Sequence, residues 1–357
     1  MINHSGIGTN IRNMIPGLAS AYKLTLLGSP NIINSFSWSG AIDIIETISQ
    51  IYSFKEQLEL PAKIPECDIF LSPHYNIPIK KIRAGKRVVV INDVNHLVFS
   101  NQLPIHKRMY AQYMLNAAVQ KSDKIFTLSE FSKSEMYKYL KVGDKDITVL
   151  YCGLDREEIK KKLTFKTFEE IRTKYTLPES YFLYVGSTKP HKNLLTAIQA
   201  FNYWKQQYNG NQKLVLVGVK KEELSRQMEI QNSVDFNSTV IPGYIANDDL
   251  PIIYNNAKCL IFPSLYEGFG LPPLEAMISG CPVLSSNSAS LPEVCGDAAL
   301  YFEPFNSIEL AQRMVEISNN DFLKNALINK GYKNILRFTR EKMNEKLVAE
   351  INSVLKI

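Results

Sequence analysis

The sequence predicts an α/β fold with two doubly wound parallel sheets, on three observations. Short apolar segments alternate with segments of helical periodicity along almost the whole chain, which is typical of parallel strands covered by helices. The alternation runs twice, once on each side of a polar, lysine-rich stretch at 155–178. The chain has 357 residues, 45% of them hydrophobic and 21% charged, which is enough for two globular domains. We therefore predict Rossmann-like domains at 1–160 and 161–338, followed by an amphipathic helix in 339–357.

Five strands and two helices are predicted in the first half. The strands are runs of apolar and β-branched residues, at Lys23–Leu27, Asp68–Ser72, Arg87–Ile91, Lys124–Leu128 and Ile147–Leu150. The helices are Ile105–Gln120 and Glu130–Leu140, the second behind Ser129, whose hydroxyl suits an N-cap. A domain of this kind normally begins with a strand that leads into a glycine loop, whereas Gly6-Ile7-Gly8 stands almost at Met1. The first strand is therefore expected to be missing.

The second half repeats the pattern. Its predicted strands are Tyr181–Val185, Lys213–Val217, Thr239–Ile241, Cys259–Phe262 and Pro282–Ser285. Its predicted helices are Leu194–Tyr208, Lys221–Ile230, Asp249–Asn256 and Pro273–Ser279, and the amphipathic C-terminal helix is placed at Arg340–Leu355.

Composition and charge exclude several classes of protein. The longest apolar runs, such as Val88–Ile91 and Leu214–Val217, are far shorter than the ~20 residues of a membrane-spanning helix, and no secretion leader is expected. The net charge of +6 is too small to indicate a nucleic-acid partner. One local cluster of cations fits either a solvated turn or a patch for anionic lipid headgroups, and it comprises Lys80, Lys81, Arg83, Lys86 and Arg87.

Cysteine and histidine spacing indicates neither disulfides nor a metal site. No cysteine pair has C-x-x-C spacing, and several lie in apolar runs, so reduced core residues of a cytoplasmic protein are expected; the five are Cys67, Cys152, Cys259, Cys281 and Cys295. The histidines are not spaced as metal ligands. We expect no metal and no cofactor.

The most informative segment is Phe262–Gly280, which reads as a strand, a glycine turn, a helix and a stop signal. In the turn 268–271, backbone N–H groups can approach a ligand closely, and the helix start behind it favours an anion. Glu267 and Glu275 flank this turn with seven residues between them. Both carboxylates can face one cleft at the carboxyl edge of a parallel sheet, where they would suit the hydroxyls of a sugar.

Two further segments contain residues suited to phosphate. Val185–Asn193 follows a strand and opens a helix, so Lys192 can neutralise a phosphate there, although a solvated lysine is equally compatible. Gly6-Ile7-Gly8 lacks the third glycine of the dinucleotide fingerprint and fits either a phosphate loop or a plain turn.

Polar residues also follow two strands of the first half. Asp93 and His96 come after Arg87–Ile91, where they fit either a ligand site or a helix cap and a structural histidine. His74 and Tyr75 end an earlier strand, either as an exposed pair that lines a sugar groove or as part of an ordinary surface loop.

Taken together, these segments resemble the family-four retaining glycosyltransferases, which have the GT-B fold. The likeness covers nearly the whole chain, and it looks closest to a branch that includes mannosyltransferases of bacterial surface-polysaccharide synthesis. One matching stretch is Phe262–Pro304, which includes the E-x7-E feature and Ser290–Val294. The others are Ser5–Gly8, Ser72–Pro78, Thr127–Lys133 and Pro190–Asn193. The resemblance implies two Rossmann-like domains facing a central cleft, with the last helix crossing back to the first domain.

The resemblance also implies roles for individual residues. Glu275 would bind the donor ribose, Glu267 the donor sugar, and Lys192 the leaving diphosphate. Further donor contacts would come from Gly8, Ser187, Tyr244, Gly268, Phe269, Gly270 and Leu271. In the first domain the residues that would face the sugar and the acceptor are Asp93, His96, His74, Tyr75 and Asn92.

The chain departs from the family pattern at several positions. Many relatives have Arg where Ser187 or His191 stands, so phosphate neutralisation rests more on Lys192. Relatives commonly have His-Asp where this chain has Asn92-Asp93, which puts a sugar-hydroxyl contact there in question. Cys152 stands where Asn is usual.

The resulting expectation is a metal-independent hexosyltransferase that keeps the anomeric configuration. GDP-mannose is the first candidate donor, with UDP-glucose and dTDP-rhamnose open. The acceptor would be a saccharide or a lipid-linked saccharide, and the enzyme would be cytoplasmic with possible contact to the inner face of the membrane. The alternatives are a sugar-nucleotide epimerase or hydrolase of the same fold, and a nucleotide-sugar-binding subunit without catalysis.

Overall fold

The chain divides into two compact units. The computed structural model describes residues 2, 5–208 and 210–356. Unit 1 comprises Met1–Leu154 together with Phe338–Ile357, and unit 2 comprises Asp155–Arg337. The boundary predicted after residue 160 lies inside a helix, Arg156–Phe165.

Strands and helices alternate through both units. The described strands are β1 Thr25–Gly28, β2 Asp43–Glu46, β3 Cys67–Ser72, β4 Ala84–Val90, β5 Lys124–Thr127, β6 Ile147–Val149, β7 Tyr181–Val185, β8 Lys213–Val217, β9 Thr239–Val240, β10 Leu260–Phe262, β11 Val283–Ser286 and β12 Ala299–Phe302. The described helices are α1 Ser5–Ala21, α2 Pro30–Ile33, α3 Glu56–Lys63, α4 Asn95–Val98, α5 Ile105–Lys121, α6 Glu130–Tyr139, α7 Arg156–Phe165, α8 Phe168–Tyr175, α9 Leu194–Tyr208, α10 Lys221–Leu224, α11 Met228–Ser233, α12 Leu250–Asn256, α13 Leu271–Ile278, α14 Leu291–Cys295, α15 Ser307–Asn319, α16 Asp321–Asn334 and α17 Arg340–Leu355.

Unit 1 contains two parallel sheets. The larger has the order β3-β4-β5-β6, while β1 and β2 pair only with each other. Its core lies between β4, β5 and the buried face of α5, with Val89, Ile125 and Leu115 at most 1% exposed. Strand β2 was not predicted, because its sequence Asp-Ile-Ile-Glu contains only two apolar residues.

The N-terminal glycine motif corrects a prediction. Gly6-Ile7-Gly8 lies in the first two turns of α1 and not in a loop. The helix continues because Met14, Ile15 and Leu18 are buried at helical spacing, which gives the segment a core-facing stripe. Gly8 is therefore a helical residue in this structure.

The last helix, α17, packs against α1. Asn344 Nδ2 donates to the Asn13 carbonyl at 3.1 Å, and Tyr22 donates to Asn352 Oδ1 at 2.7 Å. The contact depends on Gly17, since a Cβ there would lie 2.3 Å from the Asn344 side chain.

Unit 2 is built on one six-stranded parallel sheet with the order β12-β11-β10-β7-β8-β9. The chain starts at β7, proceeds outward to β9, and then returns to β10 on the other side of β7. Helices α9 and α15 cover the sheet, and Phe201 and Trp204 of α9 pack against Phe182 of β7. The predicted bounds of β7, β8, α9 and α17 are confirmed.

Candidate functional site

The reversal of strand order in unit 2 creates a natural ligand position. In open parallel sheets the loops at the carboxyl ends of strands diverge where the order reverses, and ligands bind in the crevice between them. Here that point lies between β7 and β10. The loops that follow these strands are 186–193 and 263–270, and they are joined where Leu265 N–H donates to the His191 carbonyl at 2.8 Å.

The loop after β7 has a fixed backbone. Buried Tyr184 donates to the Ser187 carbonyl at 2.8 Å, and Gly186 is required beside it, because a Cβ there would lie 2.9 Å from the Tyr184 hydroxyl. A single 3-10 turn, Pro190–Lys192, precedes α9 and ends at Asn193 with φ 53°. The Asn193 amide donates to carbonyls of two neighbouring loops, so Lys192 is held in place by its backbone.

The loop after β10 leads into α13 through a glycine with a positive φ. Gly270, with φ 114°, caps the helix, and Pro272 and Pro273 follow in the first turn, where a missing N–H has little cost. The helix ends in a Schellman arrangement, in which Gly280 N–H and Cys281 N–H donate to the Met277 and Ala276 carbonyls. The predicted turn, helix and stop are therefore all present.

Lys192 and Glu267 form an ion pair across the two loops. Lys192 Nζ donates to Glu267 Oε1 at 2.6 Å, and the two side chains are 21% and 13% exposed. Lys192 Nζ also lies 5.8 Å from the centre of the Phe262 ring. The structure thus brings together the predicted phosphate-binding cation and the predicted sugar-binding carboxylate.

Ser290 supports the turn that contains Glu267, and sequence reasoning gave it no role. Its fully buried hydroxyl lies 2.9 Å from the Glu267 carbonyl and 2.7 Å from the Phe269 carbonyl. The signal was present, because Ser290 stands in the stretch 290–294 that matched the family. Gly268 lies in this turn, and Leu271 is the first residue of α13.

Glu275 lies on α13 and contacts a buried tyrosine. Tyr254, on α12, donates to Glu275 Oε2 at 3.3 Å. Burial, and after it the charge of Glu275, raises the pKa of Tyr254, so Tyr254 is a protonated donor at neutral pH. Glu275 is half-buried and stands five positions after Gly270.

Ser187 and Tyr244 are two further candidates in unit 2. Ser187 contributes its carbonyl to Tyr184. Tyr244 lies in the segment after β9 and is 85% exposed. In the part of the chain that the structure describes, the Tyr244 side chain has no hydrogen bond or ring contact with either loop.

In unit 1 the prediction of an exposed His74–Tyr75 pair is wrong. These residues are 6% and 5% exposed, because Tyr52 covers them. Its hydroxyl lies 3.2 Å from His74 Nε2, and Asn76 N–H donates to His74 Nδ1 at 3.3 Å. Burial, assisted by the charge of His96, lowers the pKa of His74 to about 4, so its ring is neutral at neutral pH.

Asp93, His96 and Asn92 lie in the loop after β4 and at the start of α4. Asp93 Oδ1 accepts the Asn95 N–H at 2.9 Å. The N-cap of α4 is Val94 and not Asp93, so Asp93 is not the helix cap considered from the sequence. The His96 ring lies 5.8 Å from the Tyr75 ring. Among the described residues, the buried Oδ1 of Asn92 has no hydrogen-bond partner.

A buried glutamate next to this cluster was missed by sequence reasoning. Glu56, 8% exposed, accepts from Asn76 Nδ2 at 2.6 Å and from Tyr52 N–H at 2.7 Å. Tyr110 donates to Asn76 Oδ1 at 2.6 Å. Burial raises the pKa of Glu56. Asn76 stands 20 positions after Glu56 and 34 positions before Tyr110, so no local pattern could have indicated that the three residues meet.

Comparison with known proteins identifies the second unit. Residues 167–334 match the family described as glycosyl transferases group 1. This part of the chain is similar to the group 1 glycosyltransferases. The matched region contains both loops, Lys192, Glu267 and Glu275.

Proteins similar to this chain include proteins of O-antigen synthesis. The O-antigen chain mannosyltransferase B of Escherichia coli is 27% identical over 277 residues, 76% of this chain and 71% of the relative. The O-antigen chain mannosyltransferase RfbU of Salmonella typhimurium is 25% identical over 281 residues, 77% and 71% of the two chains. The serotype-specific mannosyltransferase WbdA of Escherichia coli is 29% identical over 217 residues, 59% of this chain. That match spans about a quarter (26%) of the length of WbdA.

Solved structures show that this chain has the GT-B fold. WaaG, a glycosyltransferase involved in lipopolysaccharide biosynthesis, superposes with a TM-score of 0.73 at 16% identity, covering 96% of this chain and 95% of WaaG. Anabaena HepE, solved with UDP and glucose, gives 0.74 at 15% identity, with 98% and 96% covered. The predicted fold class is confirmed.

Proposed function

We propose that this chain is a retaining, metal-independent glycosyltransferase of surface-polysaccharide synthesis. It would move a hexose, with mannose from GDP-mannose as the first candidate, to a hydroxyl of a saccharide or lipid-linked acceptor. The observation that supports this most is the Lys192–Glu267 ion pair at 2.6 Å beside the turn that opens α13. The names of the O-antigen relatives support the choice of mannose and of the pathway.

In the proposed donor site, Lys192 binds the diphosphate. It is the basic residue that the two loops hold against a carboxylate, and a diphosphate would take the place of that carboxylate. Pro272 and Pro273 have no N–H, so the backbone donors of this helix end come from the turn 268–271. Lys192 and this turn would share the negative charge of the leaving group.

The two glutamates would bind the two sugars of the donor. Glu267, released from Lys192, would accept hydrogen bonds from hydroxyls of the transferred hexose. Glu275 would accept from the ribose, with Tyr254 fixing the orientation of its carboxylate. Ser187 and Tyr244 would complete the donor contacts.

The proposed chemistry depends on charge stabilisation. The bond between the anomeric carbon and the diphosphate oxygen breaks, the acceptor oxygen bonds to the same face, and the acceptor proton passes to the leaving phosphate. Because Lys192 and the 268–271 turn are already in place, they stabilise the charge as it develops. We propose no metal, since these groups supply the positive charge.

Residues of unit 1 would serve the acceptor and the transferred sugar. Asp93 and His96 would contact sugar hydroxyls, with His74 and Tyr75 packed behind them and Asn92 beside them. A lipid-linked acceptor would place the enzyme in the cytoplasm at the inner face of the membrane. Within the described residues, no helix is both long and apolar enough to cross a bilayer.

A thermal-shift screen tests the donor assignment. GDP and GDP-mannose should raise the melting temperature of the whole chain, since a ligand of the native state stabilises it, and UDP-glucose and dTDP-rhamnose should do so less. Lys192→Ala should abolish the shift, whereas the exposed Lys189→Ala, three positions away in the same loop, should retain it. An undiminished rise in the melting temperature of Lys192→Ala with GDP would contradict the proposed donor site.

Product analysis tests the reaction itself. With acceptor, the proposal expects a new glycoside of unchanged anomeric configuration together with free nucleoside diphosphate. An epimerised donor, or free sugar formed at the same rate without acceptor, would overturn the transferase proposal. Donor binding without any turnover over a panel of acceptors would instead indicate a binding subunit.

A further inference from the structure

Helix α5 has apolar side chains on two opposite faces. One face packs into the core of unit 1, where Met114 and Leu115 are at most 1% exposed. The other face presents an apolar stripe at four-residue spacing, formed by Ile105, Met109 and Tyr113, which are 69%, 66% and 60% exposed. Large apolar side chains aligned in solvent on one helix indicate a surface that is covered in use.

Positive charge borders this stripe. A groove of about 520 Å³ runs along it, with Met109 and Tyr113 in its wall beside the cations Arg108, Lys121 and Lys141. Helix α5 contains no Asp or Glu. Within the part of the chain that the structure describes, none of these three cations has an ion-pair partner. The surface therefore combines apolar side chains with unneutralised positive charge.

The helix is held rigidly in unit 1. At its first half, Tyr110 donates to Asn76 Oδ1 at 2.6 Å. At its end, Lys145 Nζ donates to the carbonyls of Val119 and Gln120 at 2.9 and 2.7 Å. The exposed stripe thus has a fixed shape, and docking on it requires no refolding of the helix.

The basic cluster at 80–87, the other candidate for lipid headgroups, is largely engaged within the protein. Arg87 donates to the Pro78 and Lys80 carbonyls at 2.8 Å each. Arg83 donates to the Ile64 carbonyl at 3.0 Å, and Lys86 pairs with Asp123 at 3.2 Å. Three of the five cations are therefore committed to internal contacts, which favours the solvated-turn interpretation there.

We propose that the α5 face docks on an anionic phospholipid bilayer; this face comprises Ile105, Arg108, Met109, Tyr113, Lys121 and Lys141. Its apolar side chains would enter the boundary between headgroups and acyl chains, and its cations would meet the lipid phosphates, as on amphipathic helices that lie in a membrane surface. The inference deepens the proposed function, which places the enzyme at a membrane face, and it can be tested apart from that function because vesicle binding is measured without sugar transfer.

Co-sedimentation of the 357-residue chain with vesicles tests the proposal. The vesicles are phosphatidylcholine alone, and phosphatidylcholine mixed with anionic phosphatidylglycerol. We expect binding to the mixed vesicles and little binding to the neutral ones. Raising the salt from about 0.1 M to about 0.5 M should weaken it, because the Debye length shrinks from ~10 Å to about half that.

Two double variants separate the charged and apolar contributions. Arg108→Gln with Lys121→Gln should weaken vesicle binding about 30-fold, or roughly fivefold per cation, which corresponds to ~1 kcal/mol for each charge near an anionic surface. Met109→Ser with Tyr113→Ser should leave a weaker, salt-sensitive association. All four positions are exposed or at the helix surface, so the fold should be retained.

Matched controls alter similar side chains elsewhere. Met228→Ser changes a methionine that is 73% exposed on α11. Lys333→Gln with Lys346→Gln removes two exposed cations from α16 and α17. The controls should bind vesicles like the unchanged chain, and every variant should keep the thermal shift with GDP.

The possible results are distinct. Equal binding of the α5 variants and the controls would overturn the proposal. The absence of vesicle binding would also overturn it. That outcome includes the case in which sedimentation velocity shows copies of the chain associating through α5. A chain that binds anionic vesicles through α5 but shows no nucleotide shift would leave this proposal standing and count against the proposed function.

Discussion

Lys192 Nζ lies 2.6 Å from Glu267 Oε1, so the cation suited to a diphosphate is neutralised by the carboxylate suited to the donor sugar. A diphosphate must replace Glu267 as the partner of Lys192. The ion pair is therefore a competitor of the ligand, and its two residues should respond differently to substitution.

Lys192→Ala and Glu267→Gln should change nucleotide binding in opposite directions. Without Lys192, GDP binding should be lost. With Glu267→Gln, GDP should bind at least as tightly as before, because Lys192 is no longer neutralised, while transfer falls by 10²–10³, the usual effect of losing one preorganised charge-stabilising group. Calorimetry with GDP and a transfer assay measure the two effects.

The exposed Glu222→Gln, on α10, is the control for the loss of one carboxylate. It should leave both measurements unchanged. Weaker GDP binding in Glu267→Gln would contradict the competition between carboxylate and diphosphate.

Tyr254→Phe should weaken donor binding without preventing the reaction. Tyr254 is buried and donates to Glu275 Oε2 at 3.3 Å, and phenylalanine fills nearly the same volume. Loss of one such hydrogen bond costs ~1 kcal/mol, or about fivefold. We expect the KM for the donor to rise by about that factor, with kcat little changed.

Tyr181→Phe provides the comparison, since buried Tyr181 donates to the Ile253 carbonyl at 2.7 Å and not to a site carboxylate. It should lower stability while leaving the donor KM unchanged. An equal rise in KM for both variants would show that Tyr254 has no particular role through Glu275.

Ser290→Ala should lower both stability and kcat/KM. The buried hydroxyl serves the carbonyls of Glu267 and Phe269, and its removal leaves them without this donor, at about 1–3 kcal/mol. The turn then loses its fixed geometry. Thermal denaturation and steady-state kinetics measure the two effects.

Ser279→Ala is the matched buried control, because the Ser279 hydroxyl has no hydrogen-bond partner among the described residues. It should be neutral or slightly stabilising. A Ser290→Ala protein with unchanged kcat/KM would remove Ser290 from the support of the site.

His74 should give the stability of the chain a dependence on pH. Its pKa is about 4 in the folded protein against ~6.5 when unfolded, so between these values the unfolded chain binds more protons. Stability from this residue is fully present above about pH 6.5 and declines as the pH falls towards 4, by about 3 kcal/mol in total. The rings of Tyr52 and Tyr75 contact the His74 ring, and the charge of His96 acts on it. Glu56, which binds Tyr52 N–H and Asn76 and whose pKa is raised, contributes in the opposite sense.

Urea denaturation from pH 5 to 7.5 isolates this effect by difference. His74→Phe should be less stable than the unchanged chain at pH 7.5, but its stability should fall less as the pH is lowered. The exposed His106→Gln should retain the original slope. Parallel slopes in His74→Phe and the unchanged chain would contradict the neutral, buried histidine.

The sequence predicted the elements whose signals are local. Strand β7 and helix α9 have their predicted bounds, since an apolar run and a helical stripe lie between turn residues. The prediction of a loop at Gly6-Ile7-Gly8 was wrong. Glycine spacing favours a loop, but the buried residues that follow at helical spacing extend α1 over the motif. Helix α15 was missed although Leu310 and Met314 mark its buried face.

The sequence predicted which residues belong to the site, but it did not predict which of them are in contact. Lys192 and Glu267 were both identified from their loops, yet their ion pair joins positions 75 apart. His74 was expected to be exposed because its own strand end suggests a loop. The residue that covers it, Tyr52, stands 22 positions earlier, and only the folded chain brings the two together.

The pairing of α1 with α17 means that unit 1 is assembled from segments that precede and follow unit 2 in the sequence. During synthesis on the ribosome, all of 155–337 emerges before the helix that packs on Gly17 and Tyr22. Unit 2 can therefore finish folding while unit 1 still lacks its last piece. A nascent chain that stalls before Arg340 would expose the α1 face that α17 covers, and chaperones should bind it there.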